Sequence, residues 1–321
     1  MLLREQLKPY LKMNNQINNF KSLTVMKKNV IRLCIMATFL VSFNSFADVS
    51  KSEKEALIEL FHQTNGASWN TSWDLTKSVD TWYGITVKND AVVKINLFHN
   101  NLSGAIPASI GDFKHLTELN LAFNQLTGEL PSEISKLERL SVLKIEMNRL
   151  KGSLPENLGA MFQLQELTAF NNFLSGTIPN SIGELKKLRI LNLSSNNFKG
   201  TIPNSIGSLE NLESLGLFEN SLEGHMPAEF GKLEKLKELV LANNHLNGAI
   251  PKEVGQLANL EIFQVQNNGF DSFEDITAIK TNNLLVFDFD KEKIQTSPKY
   301  KAINIYTTRM ADTKFEDDNN N

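Results

Sequence analysis

The stretch LRILNLSSNNFKGTIPNSIGSLENL, from Leu188 to Leu212, decides the fold because the chain repeats its letters every 24 residues. Leucine or a substitute returns at Val92, Leu116, Leu140, Leu164, Leu188, Leu212, Leu236, Leu260 and Leu284 without a slip of register. Eight places after the first eight of these anchors stand Asn100, Asn124, Asn148, Asn172, Asn196, Asn220, Asn244 and Asn268. Glycine at the twelfth place and proline at the fifteenth recur from Gly104 and Pro107 to Gly248 and Pro251, so seven of the nine prolines belong to the repeat. A fixed period of this length marks a stack of like units, none of which can bury its apolar stripe alone.

Each letter has a physical task. Leu191 and Leu193 alternate with Asn192 and Ser194, as in a short strand with one face turned inward. Nine such strands stacked in parallel about 4.8 Å apart would span roughly 40 Å. The asparagine stands where the chain leaves the strand, and its amide can donate and accept at once, so a column of asparagines can satisfy the backbone groups of successive turns. Gly200 permits a tight turn, and Pro203 fixes its own φ and removes a donor on the far side. Ile202, Ile206, Leu209 and Leu212 then return inward to close the layer.

The chain is 321 residues long with a formal net charge of −3. Residues 1–47 hold seven basic residues and one acidic residue, which leaves 26 basic against 35 acidic beyond Ala47, or −9. An acidic chain gives no electrostatic case for nucleic acid or an anionic membrane. Met26-Lys27-Lys28-Asn29 opens a basic segment, Val30 to Phe43 is an apolar run interrupted by little more than Arg32, and Ser45-Phe46-Ala47 supplies small residues at the positions a signal peptidase reads. This reads as a secretory signal cleaved after Ala47, with Met26 the expected start and 1–25 an extension. A membrane anchor is the alternative, but the run is shorter than the ~20 residues a spanning helix needs. The only cysteine, Cys34, falls inside this segment, so no disulfide or cysteine metal site is expected beyond it.

Residues 48–91 read as an N-terminal cap. Ser52 and Glu55 have the spacing of a capping box, Ala56, Leu57, Leu60 and Phe61 share one helix face, and Gly66 is the expected stop. Trp69, Trp73 and Trp82, the only tryptophans, would cover the open end of the stack, the alternative being a carbohydrate-binding aromatic cluster. Ile85 to Val87, Asn89-Asp90 and Val92 to Leu97 read as a hairpin feeding the first repeat strand. The repeats occupy 92–269. At 270–290 the pattern breaks: Ser272 would cap a short helix carrying Phe273 and Ile276, and Leu284, Phe287 and Phe289 would supply a last strand. Residues 291–321 form a tail whose acidic, asparagine-rich end is expected to be disordered.

The run ALIELFHQTNGASWNTSWDLTKSVDTWYGITV, followed by INLFHNNLSGAIPASIGDFKHL, resembles the cap and repeats of plant-type leucine-rich-repeat proteins, among them receptor-like kinase ectodomains and polygalacturonase-inhibiting proteins. The resemblance covers about residues 52–290. It implies an α/β repeat solenoid, a right-handed superhelix with a concave parallel β-sheet and convex 3₁₀ turns and short strands. Thr86 and Val87 stand where plant caps usually carry cysteine, which, with the signal segment, resembles secreted bacterial relatives of the class.

No catalytic constellation is legible. His62, His99, His115, His225 and His245 occupy unrelated repeat positions and cannot converge on a metal, and no glycine-rich phosphate loop is present. Asp288 and Asp290 have the spacing of calcium ligands, but the remaining loop ligands are missing. No enzyme activity, cofactor or metal is therefore expected. The fourth, sixth and seventh places after each anchor are the expected concave surface, and there Phe98, Phe123, Met147, Phe170 and Phe218 form an interrupted apolar stripe beside Glu146, Lys144 and Glu219. The alternative is that phenylalanine there is only a variant of the repeat. The reading is of a secreted, monomeric binding module for a protein or glycan. An inhibitor of an extracellular polysaccharide-degrading enzyme and an ice-binding protein are the alternatives, the last opposed by the irregular charges.

Overall fold

The computed structural model describes residues 49–272 and 284–290, all within one compact unit. The expected signal segment, Cys34, the helix expected around Phe273 and Ile276, and the tail from 291 lie outside the described residues.

Helix α1, Lys51–Gln63, begins one frame earlier than the spacing of Ser52 and Glu55 predicts. Ser50 is the N-cap, and its Oγ accepts from the Glu53 amide at 3.2 Å. Two Ser-x-x-Glu frames overlap here. The one used turns Glu53 inward beside Ala56, Leu57 and Leu60, where its Oε2 accepts from the Val92 amide at 3.4 Å. Glu55 instead stays exposed and pairs with Lys51 at 3.7 Å. The helix is stopped by Thr64 and by Asn65, which takes the left-handed conformation expected of Gly66. Gly66 has a steric task instead: a Cβ there would lie 2.1 Å from the Phe61 ring.

The cap is closed by the three tryptophans, all buried. Trp73 stacks on Trp82 with ring centroids 4.8 Å apart and meets Trp69 edge-on at 4.8 Å. Each indole N–H donates to a backbone carbonyl, that of Trp69 to Thr64, of Trp73 to Tyr83 and of Trp82 to Asp74, so their burial leaves no donor unpaired. That burial removes them from any carbohydrate surface. Strands β1 (Ile85–Lys88) and β2 (Ala91–Asn96) pair antiparallel around Asn89 and Asp90, both left-handed, as a two-residue hairpin of the primed type requires.

From β2 onward the sheet is parallel and shifts 24 residues per strand, Leu191 opposite Leu215 and Leu167. Beyond β2 its strands are three residues long, from Glu118–Asn120 to Val286–Asp288, and with β1 and β2 they make ten. On the convex side short strands form a second ladder, while each repeat proline except Pro155 leads directly into a 3₁₀ turn. The ladder is interrupted between Gln125–Thr127 and Lys151–Gly152, joined only by an isolated bridge from Glu129 to Lys151. Nearby, Ser135 stands where the other repeats carry glycine, and the following turn, Leu158–Ala160, is shortened. The apolar letters of the repeat make one continuous core, with Leu188, Leu191, Leu193, Ile206, Leu209 and Leu212 fully buried. At the described C-terminal end Phe287 stacks on Phe263 at 5.4 Å and closes the last layer.

The asparagine column does what its spacing predicts. Asn196 Nδ2 donates to Ala169 O at 3.0 Å, Leu193 O at 3.1 Å and Ser194 O at 3.0 Å, while its Oδ1 accepts from the Leu174 amide at 3.0 Å. Asn196→Ala should therefore lower the unfolding free energy by about 3 kcal/mol, because buried backbone groups lose their partners. Asn197→Ala, at the exposed neighbour, should change it by less than about 0.5 kcal/mol, and denaturant midpoints decide between them.

Burial raises the Glu53 pKa, against the opposing hydrogen bonds from Val92 and Ser50. A raised carboxyl pKa means that the folded state carries a penalty above that pKa, and the penalty fades as pH falls through it. The stability of the native chain relative to Glu53→Gln should therefore improve from neutral pH toward the ordinary carboxylate range, read from denaturation curves across that interval.

Candidate interaction surface

The concave sheet exposes alternate strand positions, and the chain leaves each strand through a corner at the sixth and seventh places. At every corner from the first repeat to the eighth, the seventh residue is left-handed: His99, Phe123, Met147, Asn171, Ser195, Glu219, Asn243 and Asn267 have φ between 49° and 58°. The cause is local. The amide of that residue must turn to reach the next repeat, as Phe123 N does to Glu146 O at 3.0 Å, while the following asparagine drops into the ladder.

The predicted stripe is less uniform than its spacing implies. Phe98 and Phe123 are exposed, at 47% and 39%, and their rings touch with centroids 5.2 Å apart and planes tilted by 58°. His99 lies 6.1 Å from Phe98. Met147, Phe170 and Phe218 are half-buried, and Met147 Sδ accepts from Asn171 Nδ2 at 2.9 Å. Glu146 was expected on the surface but is buried, with Oε2 accepting from Thr168 Oγ1 at 2.6 Å. Ala122 and Gly216, also expected to face solvent, are buried among taller neighbours.

Sequence reasoning missed the second place after each anchor, although strand alternation puts it on the same face as the fourth. It adds Lys94, Glu118, Glu166 and Glu238. Lys94 pairs with Glu118 at 2.7 Å and Lys144 with Glu166 at 2.8 Å, and the hydrogen bond to Glu166 raises the Lys144 pKa. On the flank Glu213 lies between Arg189 at 2.7 Å and Lys237 at 3.4 Å, and those cations lower its pKa. Glu219 accepts from Ser195 Oγ and Glu238 from Ser214 Oγ, each at 2.8 Å. A polar groove of about 640 Å³ lies on the other edge of the repeats, between Lys186, Asn211, Lys232 and Lys235.

The Asp288 and Asp290 carboxylates close the last turn, accepting from Gln264 Nε2 and from the Asn267 amide, each at 2.9 Å. Among the described residues no three His, Cys, Asp or Glu side chains come together as metal ligands, and no helix is long and apolar enough to cross a membrane.

The family model described as Leucine Rich Repeat matches residues 115–137, 163–185, 187–209 and 235–257. Among solved structures the chain is similar to the ectodomain of the Arabidopsis thaliana receptor kinase GASSHO1/SCHENGEN3, determined in complex with CASPARIAN STRIP INTEGRITY FACTOR 2. The identity is 32% over 73% of this chain and 29% of that one, with a TM-score of 0.69. It is similar also to the Arabidopsis HAESA ectodomain with an extended IDA peptide hormone, at 28% identity over 74% of this chain and 41% of that one, TM-score 0.66. A protein of the same repeat class from Leptospira interrogans shares 36% identity over 59% of this chain and 48% of its own, TM-score 0.51. The chain thus spans less than half the length of these relatives. No curated protein sequence matches it.

Phenylalanine in the left-handed region is strained where asparagine is not. Phe123→Asn should raise the unfolding free energy by about 1 kcal/mol, visible as a higher thermal midpoint.

Proposed function

This chain is a leucine-rich-repeat protein of the plant type, and from that premise we propose that it is a non-enzymatic module binding a protein or glycan partner through its concave sheet. The observation that carries the reading is the exposed, mutually touching pair Phe98 and Phe123 at the first two concave corners, where Met147, Phe170 and Phe218 of the same stripe are half-buried. Two rigid aromatic rings with few rotatable bonds bind at low entropic cost, which is why such pairs anchor interfaces. Two of the similar plant ectodomains were determined with bound partners, which supports the same use of the fold here. The site of action is outside the cell, reached through the signal segment that ends at Ala47.

The test is capture of partners from the organism's surroundings, in parallel with a glycan array, using the native protein and a Phe98→Ser/Phe123→Asn variant. The expected outcome is a partner or glycan held by the native protein and lost, by at least about tenfold in affinity, from a variant with an undiminished thermal midpoint. Undiminished binding by that variant would place the contact elsewhere.

A further inference from the structure

The second ladder, on the convex side, presents an aromatic side chain that no packing role accounts for. Phe173 opens the strand Phe173–Gly176 and is 58% exposed, more than any other aromatic side chain among the described residues. Alternation around buried Leu150, Leu174 and Phe198 puts Arg149, Lys151, Phe173, Ser175, Asn197 and Lys199 on the outer face. Phe173 stands directly beside Lys151, and Ser175 beside Asn197. The other outer side chains nearby are short. Ser153 and Thr177 lie over Gly176 and Gly200, in each case 3.1 Å from where a Cβ would stand. The Phe173 ring therefore stands clear of its neighbours on a low, polar surface.

The cations of this face have no acidic partner. On the concave sheet and its flank Lys94, Lys144, Arg189 and Lys237 each pair with a glutamate. Among the described residues no carboxylate pairs with Arg149, Lys151 or Lys199. Glu129, the backbone neighbour of Lys151, lies over Gly152 instead, its Cγ 2.8 Å from where a Cβ would stand there. On the other side the next acid is Glu223, beside Thr201, so the outer face between these two glutamates carries positive charge alone. The sign is locally reversed in a chain whose charge beyond Ala47 is −9. An arginine fork and lysine ammonium groups hold carboxylate, sulfate or phosphate oxygens. Lys151 and Lys199 are carried on strands two apart, about 10 Å across the sheet, so they match anionic groups spaced along a chain and not one small ion.

We propose that the outer face of the second ladder around Phe173 binds a linear acidic glycan, with the C–H face of one sugar ring packed on Phe173 and the carboxylate or sulfate groups held by Arg149, Lys151 and Lys199. Stacking of this kind needs one open, flat apolar side, which the uncovered phenylalanine offers. The hydroxyls of Ser175 and Thr177 and the Asn197 amide make no side-chain hydrogen bond among the described residues, and each can donate to or accept from sugar hydroxyls. A single-stranded nucleic acid would meet the same cations, but binding of that kind uses a series of aromatic side chains under successive bases, and only one ring stands here. An acidic peptide would meet the cations without needing the uncovered ring. The site lies on a different sheet from Phe98 and Phe123, and the proposal does not depend on the concave-face reading. Because the chain as a whole is acidic, its field does not draw a polyanion in, and the affinity comes from these side chains themselves.

The experiment uses the full chain and fluorescent probes of matched length: an oligogalacturonate, a sulfated dextran, neutral dextran, an oligoglutamate and an oligothymidylate. Binding is read by anisotropy at low and raised salt. An acidic glycan should bind, weaken as salt is raised, and exceed the neutral dextran in affinity by about tenfold or more. Whichever of the two acidic glycans binds more tightly identifies the acid group. Arg149→Gln/Lys151→Gln should lower that affinity about tenfold and flatten its salt dependence. Phe173→Ser should lower it severalfold and leave the salt dependence unchanged, the mark of a stacked ring and not of charge. All three positions are exposed, so the thermal midpoints should stay close to that of the native chain. Phe98→Ser should bind the glycan as the native chain does, and a loss of glycan binding there would move the site to the concave sheet and overturn the proposal. It is overturned equally if neither acidic glycan binds, if the oligoglutamate or the oligothymidylate binds more tightly than both, or if the Phe173 and Arg149/Lys151 variants keep the native affinity.

Discussion

Each turn of this chain leaves the concave sheet through a corner whose side chains reach solvent but whose inner backbone groups are buried, and those groups have no partners in either sheet. The asparagine column supplies them. Asn148 donates to Leu121 O in the preceding repeat and to Ile145 O and Glu146 O in its own, and accepts from the Leu126 amide behind it. One side chain thus pairs four groups that burial would otherwise penalise by about 1 to 3 kcal/mol each. The geometry also propagates. Because each asparagine reaches into the repeat before it, neighbouring turns keep one spacing, and the residue preceding it is driven into the left-handed region.

A ladder of this kind must end somewhere, and both described ends show how. Asn100 has no repeat before it, so its Oδ1 accepts from the Thr71 amide of the cap at 2.7 Å while Asn70 donates to His99 O. The loop that carries Trp69 and Trp73 is therefore fixed by the first rung, and the tryptophans lie where a preceding apolar layer would be. At the other end Asp290 accepts from the amides of Asn267 and Asn268 in place of another repeat's carbonyls. The two aspartates whose spacing hinted at a cation site are thus used in closing the sheet.

What was legible in the sequence follows from this division. Letters under the ladder and core constraints recur with one period, so the strands, the glycine turns and the aromatic cap could be read directly. The helix cap was misread because Ser50-x-x-Glu53 and Ser52-x-x-Glu55 are equally good local signals, and only Val92, 39 residues on, selects between them. Burial at Ala122, Gly216 and Glu146 was not legible, since it depends on how tall the neighbours across the sheet are. The left-handed corners escaped notice because bulky residues such as Phe123 and Met147 do not announce such a conformation, and the requirement comes from the next repeat. The omitted second strand position was legible by alternation alone.

The same constraints bound where function can reside. Core and ladder letters cannot vary without exposing a void or an unpaired amide, so on the concave face the letters free to vary are the second, fourth, sixth and seventh. The second and fourth places are carried on strands only three residues long, and the sixth and seventh on the corners that follow, whose backbone is bonded to the next repeat. The exposed pair Phe98 and Phe123 stands beside the end closed by the tryptophan cap, tied through Asn100 and Asn124 to the cap loop. The strained backbone at Phe123 is held by the hydrogen bonds on either side of it, from Phe123 N to Glu146 O and from Asn124 N to Met147 O.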